Sequence, residues 1–211
     1  MYFVGSILMD INYMANPFPH AILDNFYEPN ELSSIWRELE FLTHPDKLVT
    51  ADKTGSAFYE DGKLAKNNFG IYLDEAYSGN RTISNILTIN RKIFDEEIMM
   101  FLQKSHWIFK YIARCTRDTM LLSYYEDKSN YDAHIDACTM TSLIHLFKQP
   151  RKFTGGDLVF PEFGNYTLTL QNNRCIIFPS KIEHAVTPLT LPEEDKMTGN
   201  GRYCISHFFM C

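Results

Sequence analysis

The 211-residue chain is short of several features that would place it quickly. It has no Cys-x-x-Cys pair, and its five cysteines, Cys115, Cys138, Cys175, Cys204 and Cys211, are an odd number without framework spacing. That excludes a secreted disulfide scaffold and fits reduced thiols in a cytoplasmic protein. No apolar run approaches the roughly 20 residues of a membrane-spanning helix. The apolar start, Met1 to Met9, is cut off by Asp10 and has no basic residue ahead of it, unlike a secretory leader. Basic charge is scarce too: 20 Lys and Arg against 26 Asp and Glu, for a net charge of −6. Such a surface has no general attraction for phosphates, so nucleic acid is disfavoured as a partner. Repeats and low-complexity segments are missing, which removes solenoids and propellers. What the chain does have is aromatic residues, 14% of the total, with 16 Phe and 12 Tyr. That surplus suits strands around a lined cavity better than a helical bundle.

The first 119 residues read as mainly helical support. Asn30 is placed to cap a helix to about Phe41, with Leu32, Ile35, Trp36, Leu39 and Leu42 on one stripe. Residues 44–80, rich in Gly, Asp, Lys and Asn, read as a loop with short extended pieces, a flap. A second helical region, about 82–106, turns Ile83, Ile86, Leu87, Ile93, Ile98, Phe101 and Leu102 toward a core. From residue 120 the period changes. Short runs rich in aromatic and β-branched residues recur at 120–125, 131–136, 140–147, 157–160, 166–170, 174–178, 184–189 and 202–210. Turn-prone pieces such as Gly155-Gly156-Asp157 separate them. About eight such strands imply a sandwich or barrel. The expected fold class is therefore α+β: an antiparallel core over 120–211, with helices on one sheet face, in a single domain spanning 1–211.

With seven histidines, each can be weighed as a ligand. His134-Ile135-Asp136 falls on an expected strand, where residues two apart share a face, so imidazole and carboxylate converge while Ile135 packs away. The pattern is common by chance. A second copy, His44-Pro45-Asp46, follows a helix, contains a proline and reads as a helix end followed by a turn. His134 and Asp136 gain weight from His184, which follows the buried run Cys175 to Pro179. Two histidines and a carboxylate on one side of a metal leave the opposite positions open, as in the facial triad of non-haem Fe(II) oxygenases. Arg202 opens the last strand, and a planar guanidinium is a natural clamp for the carboxylate of an organic acid.

On these residues the chain resembles the Fe(II)/2-oxoglutarate-dependent dioxygenases, in their prolyl 4-hydroxylase-like branch. The motifs are Tyr125, Tyr131, His134, Asp136, Gly155-Gly156-Asp157-Leu158, Phe178-Pro179, His184 and Arg202, preceded by Leu23-Asp24-Asn25-Phe26-Tyr27 ahead of the first helix. The resemblance covers about residues 18–210. It implies a double-stranded β-helix, a jelly roll with the metal in its mouth. It also implies His134, Asp136 and His184 as catalytic iron ligands, and Arg202 and Tyr125 on the distal carboxylate of 2-oxoglutarate. Fe(II), 2-oxoglutarate and O2 are the implied cofactors, with ascorbate in support. Asp136 favours hydroxylation, because a small residue there would open a halide position.

The chain departs from that family in places. His184 and Arg202 are 18 residues apart where about ten is usual, and the inserted stretch 191–199 reads as a solvent loop, with Lys196 as the fallback clamp. Positions that read a prolyl peptide in the family hold Cys138 and Phe208 here. The implied activity is hydroxylation of a peptide or amino-acid side chain, proline included, or of a small metabolite, releasing succinate and CO2. The alternative is a jelly-roll binding or regulatory module without turnover. A nucleic-acid demethylase is the weakest reading, lacking a basic, aromatic-interleaved stretch. Cys138 and Cys204, two residues from Asp136 and Arg202, are placed to face the metal, and His145 and His207 read as core residues.

Overall fold

Alternating side chains along the strands of the C-terminal half build two facing sheets whose inner faces enclose a pocket. The computed structural model describes residues 9–44, 46–54, 59 and 61–211. In chain order the elements are β1 (Asp10–Met14), β2 (His20–Asp24), α1 (Pro29–Leu42), β3 (Val49–Thr50), β4 (Phe69–Tyr72), α2 (Leu73–Ala76), α3 (Asn85–Ile89) and α4 (Glu96–Ser105). There follow β5 (Arg117–Tyr125), β6 (Tyr131–His134), β7 (Met140–Leu146), β8 (Thr154–Gly155), β9 (Leu158–Phe160), β10 (Tyr166–Leu168), β11 (Arg174–Pro179), β12 (His184–Val186), β13 (Leu189–Thr190) and β14 (Arg202–Met210). The large sheet runs β1-β2-β11-β7-β14-β5-β4-β3; the smaller one runs β10-β9-β12-β6, with a short β13-β8 pair beside it. Every pairing is antiparallel. This is the mainly β jelly roll, with helices packed on the outside of the large sheet.

The strand pattern expected over 120–210 is present, with small differences. The runs 131–136 and 166–170 end as strands at His134 and Leu168, and 184–189 divides into β12 and β13. The first half differs more. Residues 10–14 and 20–24 are strands that extend the large sheet at one edge, and 49–50 and 69–72 extend it at the other. The first 119 residues are therefore part sheet rather than helical support alone, and 44–80 is more than a loop. Residues 55–58 and 60 of that flap, Pro45 of the second His-x-Asp copy and residues 1–8 of the apolar start lie outside the described residues. The region 82–106 is broken into 3-10 turns and two helices, α3 and α4. Ile83 is exposed there, a correction to its expected core role. No helix among the described residues is long and apolar enough to cross a membrane.

Helix α1 starts at Pro29 with Glu28 as its cap, two residues earlier than Asn30 implied. Glu28 and Glu31 close a reciprocal box on each other's backbone amides, a carboxylate version of the usual capping box. Its buried stripe is Ile35, Leu39 and Leu42, with Leu32 and Trp36 half-buried beside them. Glu38 lies on the same side and is buried because it caps another helix. It accepts from the Ser84 hydroxyl at 2.6 Å and from the Ile86 amide at 2.9 Å, at the N-terminus of α3.

Two clusters make the core. One, between the helices and the outer face of the large sheet, includes Ile35, Leu39, Leu102, Phe109, Leu122, Ile144, Ile205 and Phe209. The other, between the sheets, includes Leu143, Phe160, Phe178, Val186 and Cys204. The Gly155-Gly156 turn is a structural necessity: both residues have positive φ, and a Cβ on Gly155 would meet the Pro188 carbonyl oxygen at 2.1 Å. The five cysteines are free thiols, although the sulfurs of Cys115 and Cys211 lie only 2.7 Å apart.

Candidate metal centre and its pocket

β6 and β12 are neighbours in the small sheet, with His134 directly opposite His184. Asp136 follows β6 in extended backbone, held by its amide to the Ser180 carbonyl at 3.0 Å, so it returns to the face of His134. Ile135 points the other way and is exposed rather than packed. One atom from each of His134, Asp136 and His184 lies within 4.8 Å of the others. The His134 and His184 Nε2 atoms sit 3.8 and 3.6 Å from the two Asp136 carboxylate oxygens. These spacings are too long for hydrogen bonds and suit three donors around one ion, each at about 2 Å.

The protonation of the cluster is fixed by its surroundings. His134 Nδ1 donates to the Asp132 carbonyl at 2.8 Å and His184 Nδ1 to the Ile182 carbonyl at 3.0 Å, which leaves both Nε2 lone pairs facing Asp136. Burial pushes each imidazole down to about 4, with the neighbouring His184 adding to the shift at His134. Both rings are thus neutral at pH 7, the form that ligates. Burial pushes Asp136 upward, while the Thr141 hydroxyl, donating at 2.6 Å, and His134 work against that rise. The Tyr131 ring stacks on His134, centroids 3.6 Å apart and 8° from parallel, and fixes the imidazole plane.

The three side chains open into a cavity of about 90 Å³ that Tyr125, Arg202, Cys204, Leu143 and Phe208 also line. Arg202 opens β14 and is fully buried. Its Nη2 donates to His145 Nδ1 at 2.9 Å, and its guanidinium lies 4.8 Å above the Tyr125 ring. Its Nε and Nη1 have no partner among the described residues, and no carboxylate there lies within ion-pair distance. A buried guanidinium left in that state is costly unless an anion completes it. Burial raises the Tyr125 phenol, and the charge of Arg202 opposes the rise.

The structure brings His134, Asp136, His184, Arg202 and Tyr125 to one cavity. Lys196 is not there: it pairs with Asp127 and Glu193 on the surface. The stretch 191–199 is anchored rather than a free solvent loop, with Leu191 buried and its amide on the Asp127 carboxylate. Cys204 faces the cavity as expected. Cys138 turns instead to the Ser180 and Thr141 hydroxyls, at 2.9 and 3.4 Å. His145 is a core histidine that supports Arg202, and His207 lies on the opposite sheet face against Asp118 at 2.6 Å. Two residues were not legible beforehand. Thr141 holds Asp136 from five residues away. Lys66, from the flap, lines the cavity with its backbone bridged to Tyr131. No local pattern marks either, because each contact is made through space.

Residues 120–210 match the family model described as the 2OG-Fe(II) oxygenase superfamily. Among curated protein sequences, none matches the chain. The chain shares its fold with a Pseudomonas putida prolyl-4-hydroxylase, at 12% identity and a TM-score of 0.56, over 90% of this chain and 91% of the other. A prolyl hydroxylase from Trichoplax adhaerens, solved in complex with a hypoxia inducible factor oxygen degradation domain peptide fragment, aligns at 13% identity and a TM-score of 0.60, over 90% and 83%. The epimerase SnoN from nogalamycin biosynthesis, a non-haem α-ketoglutarate-dependent enzyme, aligns at 13% identity and a TM-score of 0.54, over 90% and 77%. Hydroxylases and an epimerase on one fold show that the fold by itself leaves the reaction and its substrate open.

Proposed function

We propose that the chain, as a single domain over residues 1–211, is an Fe(II)- and 2-oxoglutarate-dependent hydroxylase. In this reading His134, Asp136 and His184 hold the iron, and Arg202 with Tyr125 holds the distal carboxylate of 2-oxoglutarate. The observation that carries it is Arg202, a buried cation with two unpartnered donors in the cavity of the His-Asp-His cluster. The donor set also suits a ferrous ion: two neutral imidazoles and one carboxylate supply three ligands and one negative charge, and leave positions free. When bound, iron and 2-oxoglutarate supply with O2 the oxidising power to hydroxylate a C–H bond, with succinate and CO2 as co-products.

The chain's own residues bind, orient and shield. Thr141 keeps the Asp136 carboxylate turned toward both Nε2 atoms. His145 fixes the guanidinium plane of Arg202, and the Tyr125 ring supports it from one face. Leu121, Leu143, Val186 and Phe208 line the cavity with apolar surface that limits water. A peptide, amino-acid or small-metabolite substrate fits this reading. Proline as the target is weakened by Cys138, which turns away from the cavity, and Phe208, which fills part of its wall.

The direct test is incubation of purified protein with Fe(II), ascorbate, O2 and 2-oxoglutarate, with succinate as the readout. Succinate release from wild type and its loss in His184→Ala are expected. Equal succinate from both proteins would contradict the assignment.

A further inference from the structure

The proposed chemistry uses Arg202 but not Lys66, the second cation of the cavity. Lys66 is 4% exposed, almost as buried as the core. Its Nζ donates to one acceptor, the Thr54 carbonyl at 2.6 Å, and lies 5.4 Å from the Tyr131 ring centroid. An ammonium carries three donors, and no carboxylate among the described residues pairs with this one. Burial pushes it down to about 8, so at neutral pH it is still mostly charged.

Its position sets it apart from Arg202. Arg202 rises from β14 in the large sheet, beside Tyr125. Lys66 stands at the edge of the small sheet, where its backbone bridges Tyr131, whose ring lies flat on His134. Lys66 also lines a second groove of about 400 Å³, together with apolar Leu64 and Phe69 and polar Asp52, Asn130 and Asp132. It therefore borders both the outer groove and the inner cavity that holds the candidate metal ligands. With a dication on the three ligands and dianionic 2-oxoglutarate on Arg202, the cavity keeps one positive charge, that of Lys66.

We propose that Lys66 is a specificity-determining residue that holds a carboxylate of the substrate to be oxidised, so the oxygenase acts on an organic acid or an acidic side chain. This rests on the functional reading above, because it needs Arg202 to be engaged by the co-substrate. Carboxylate is the shared chemistry of two sources, a free small acid and an acidic residue of a peptide.

The test uses the full chain loaded with redox-inert Zn(II) and saturated with N-oxalylglycine, a 2-oxoglutarate analogue, with binding followed by ligand-observed NMR. The probes are 3-phenylpropionate for a free acid and N-acetyl-aspartyl amide for a peptide side chain. Their neutral controls are 3-phenylpropionamide and N-acetyl-asparaginyl amide. At least one acid is expected to bind tenfold or more tighter than its control, and the acid that does so identifies the source. Lys66→Met should erase that difference while leaving N-oxalylglycine affinity unchanged. Lys66→Gln repeats the comparison should the Met variant fail to fold. Equal binding of acids and controls, no binding of either acid, or an acid preference that survives in the variant overturns the proposal. Failure of N-oxalylglycine to bind wild type overturns the functional reading, and this one with it.

Discussion

The two faces of the large sheet are made by the same strands and have opposite characters. On β5, Met120, Leu122 and Tyr124 turn to the helices, while Leu121, Ser123 and Tyr125 turn inward. On β14, Tyr203, Ile205, His207 and Phe209 face out, and Arg202, Cys204, Ser206 and Phe208 face in. The outer face is closed by helices, and its orphaned polar atoms, Ser142 Oγ and His207 Nδ1, belong to a hydroxyl and to a ring whose other nitrogen is paired with Asp118. The inner face keeps unpaired donors on Arg202, next to a carboxylate flanked by two neutral imidazoles. A one-residue alternation thus separates a stabilising surface from a reactive one. In the proposed function, the inner face is organised around ligands, and the unpartnered donors of Arg202 are costs that an anion would offset.

That comparison can be broken by substitution on either side. Arg202→Met on the inner face should weaken 2-oxoglutarate binding by at least about a hundredfold, since a charge-assisted bidentate contact is lost. Thermal stability should hold or rise, because an unpaired buried charge is removed; isothermal titration and melting curves on one preparation check both halves. Ile205→Ala on the outer face should do the reverse. It should cost about 2–5 kcal/mol in denaturant unfolding and leave the affinity of the folded protein for 2-oxoglutarate within about twofold.

Thr141→Val tests support within the inner face. Losing the bond that orients Asp136 should lower metal affinity by about 10–100-fold, read by competition with a chelating dye, with little change in the melting temperature. A pH experiment reports on the outer face alone. Burial works to raise the Asp118 carboxyl, but hydrogen bonds and charge from His207 and Arg91 outweigh it and hold the group at about 2. A depressed carboxylate contributes stability that is present above its unfolded value near 4 and is lost as pH falls through 2. That amounts to about 2 kcal/mol. Asp118→Asn should flatten acid unfolding between pH 4 and 2, and an unchanged slope would remove Asp118 from the account.

Legibility in the sequence followed the range of the interactions. The strands after residue 120 announce themselves because their faces alternate and their turns carry Gly, Asn and Asp. His134, Asp136, His184 and Arg202 follow from that pattern and the family motifs together. β1 and β2, Asp10–Met14 and His20–Asp24, carry no comparable signal, because they stand apart from the recurring series of strand runs and turns. Their strand character comes from pairing with each other and of β2 with β11, 150 residues later. The helical stretch 82–106 was read as one region because its apolar spacing continues through the breaks at Asn90–Phe94. Lys66 carries no signal for the same reason as β1, since its neighbour Tyr131 is distant in sequence, whereas the Thr141 bond to Asp136 depends on the turn between β6 and β7.

The central claim is that the inner face binds a ferrous ion and 2-oxoglutarate together, through His134, Asp136, His184 and Arg202. The most direct measurement is an anaerobic absorption titration of the Fe(II)-loaded protein with 2-oxoglutarate. A saturable visible band at one equivalent per chain is expected, absent from Asp136→Ala and shifted to much higher concentration in Arg202→Met. A wild-type protein that develops no band, or an Arg202→Met titration that overlays wild type, would contradict it.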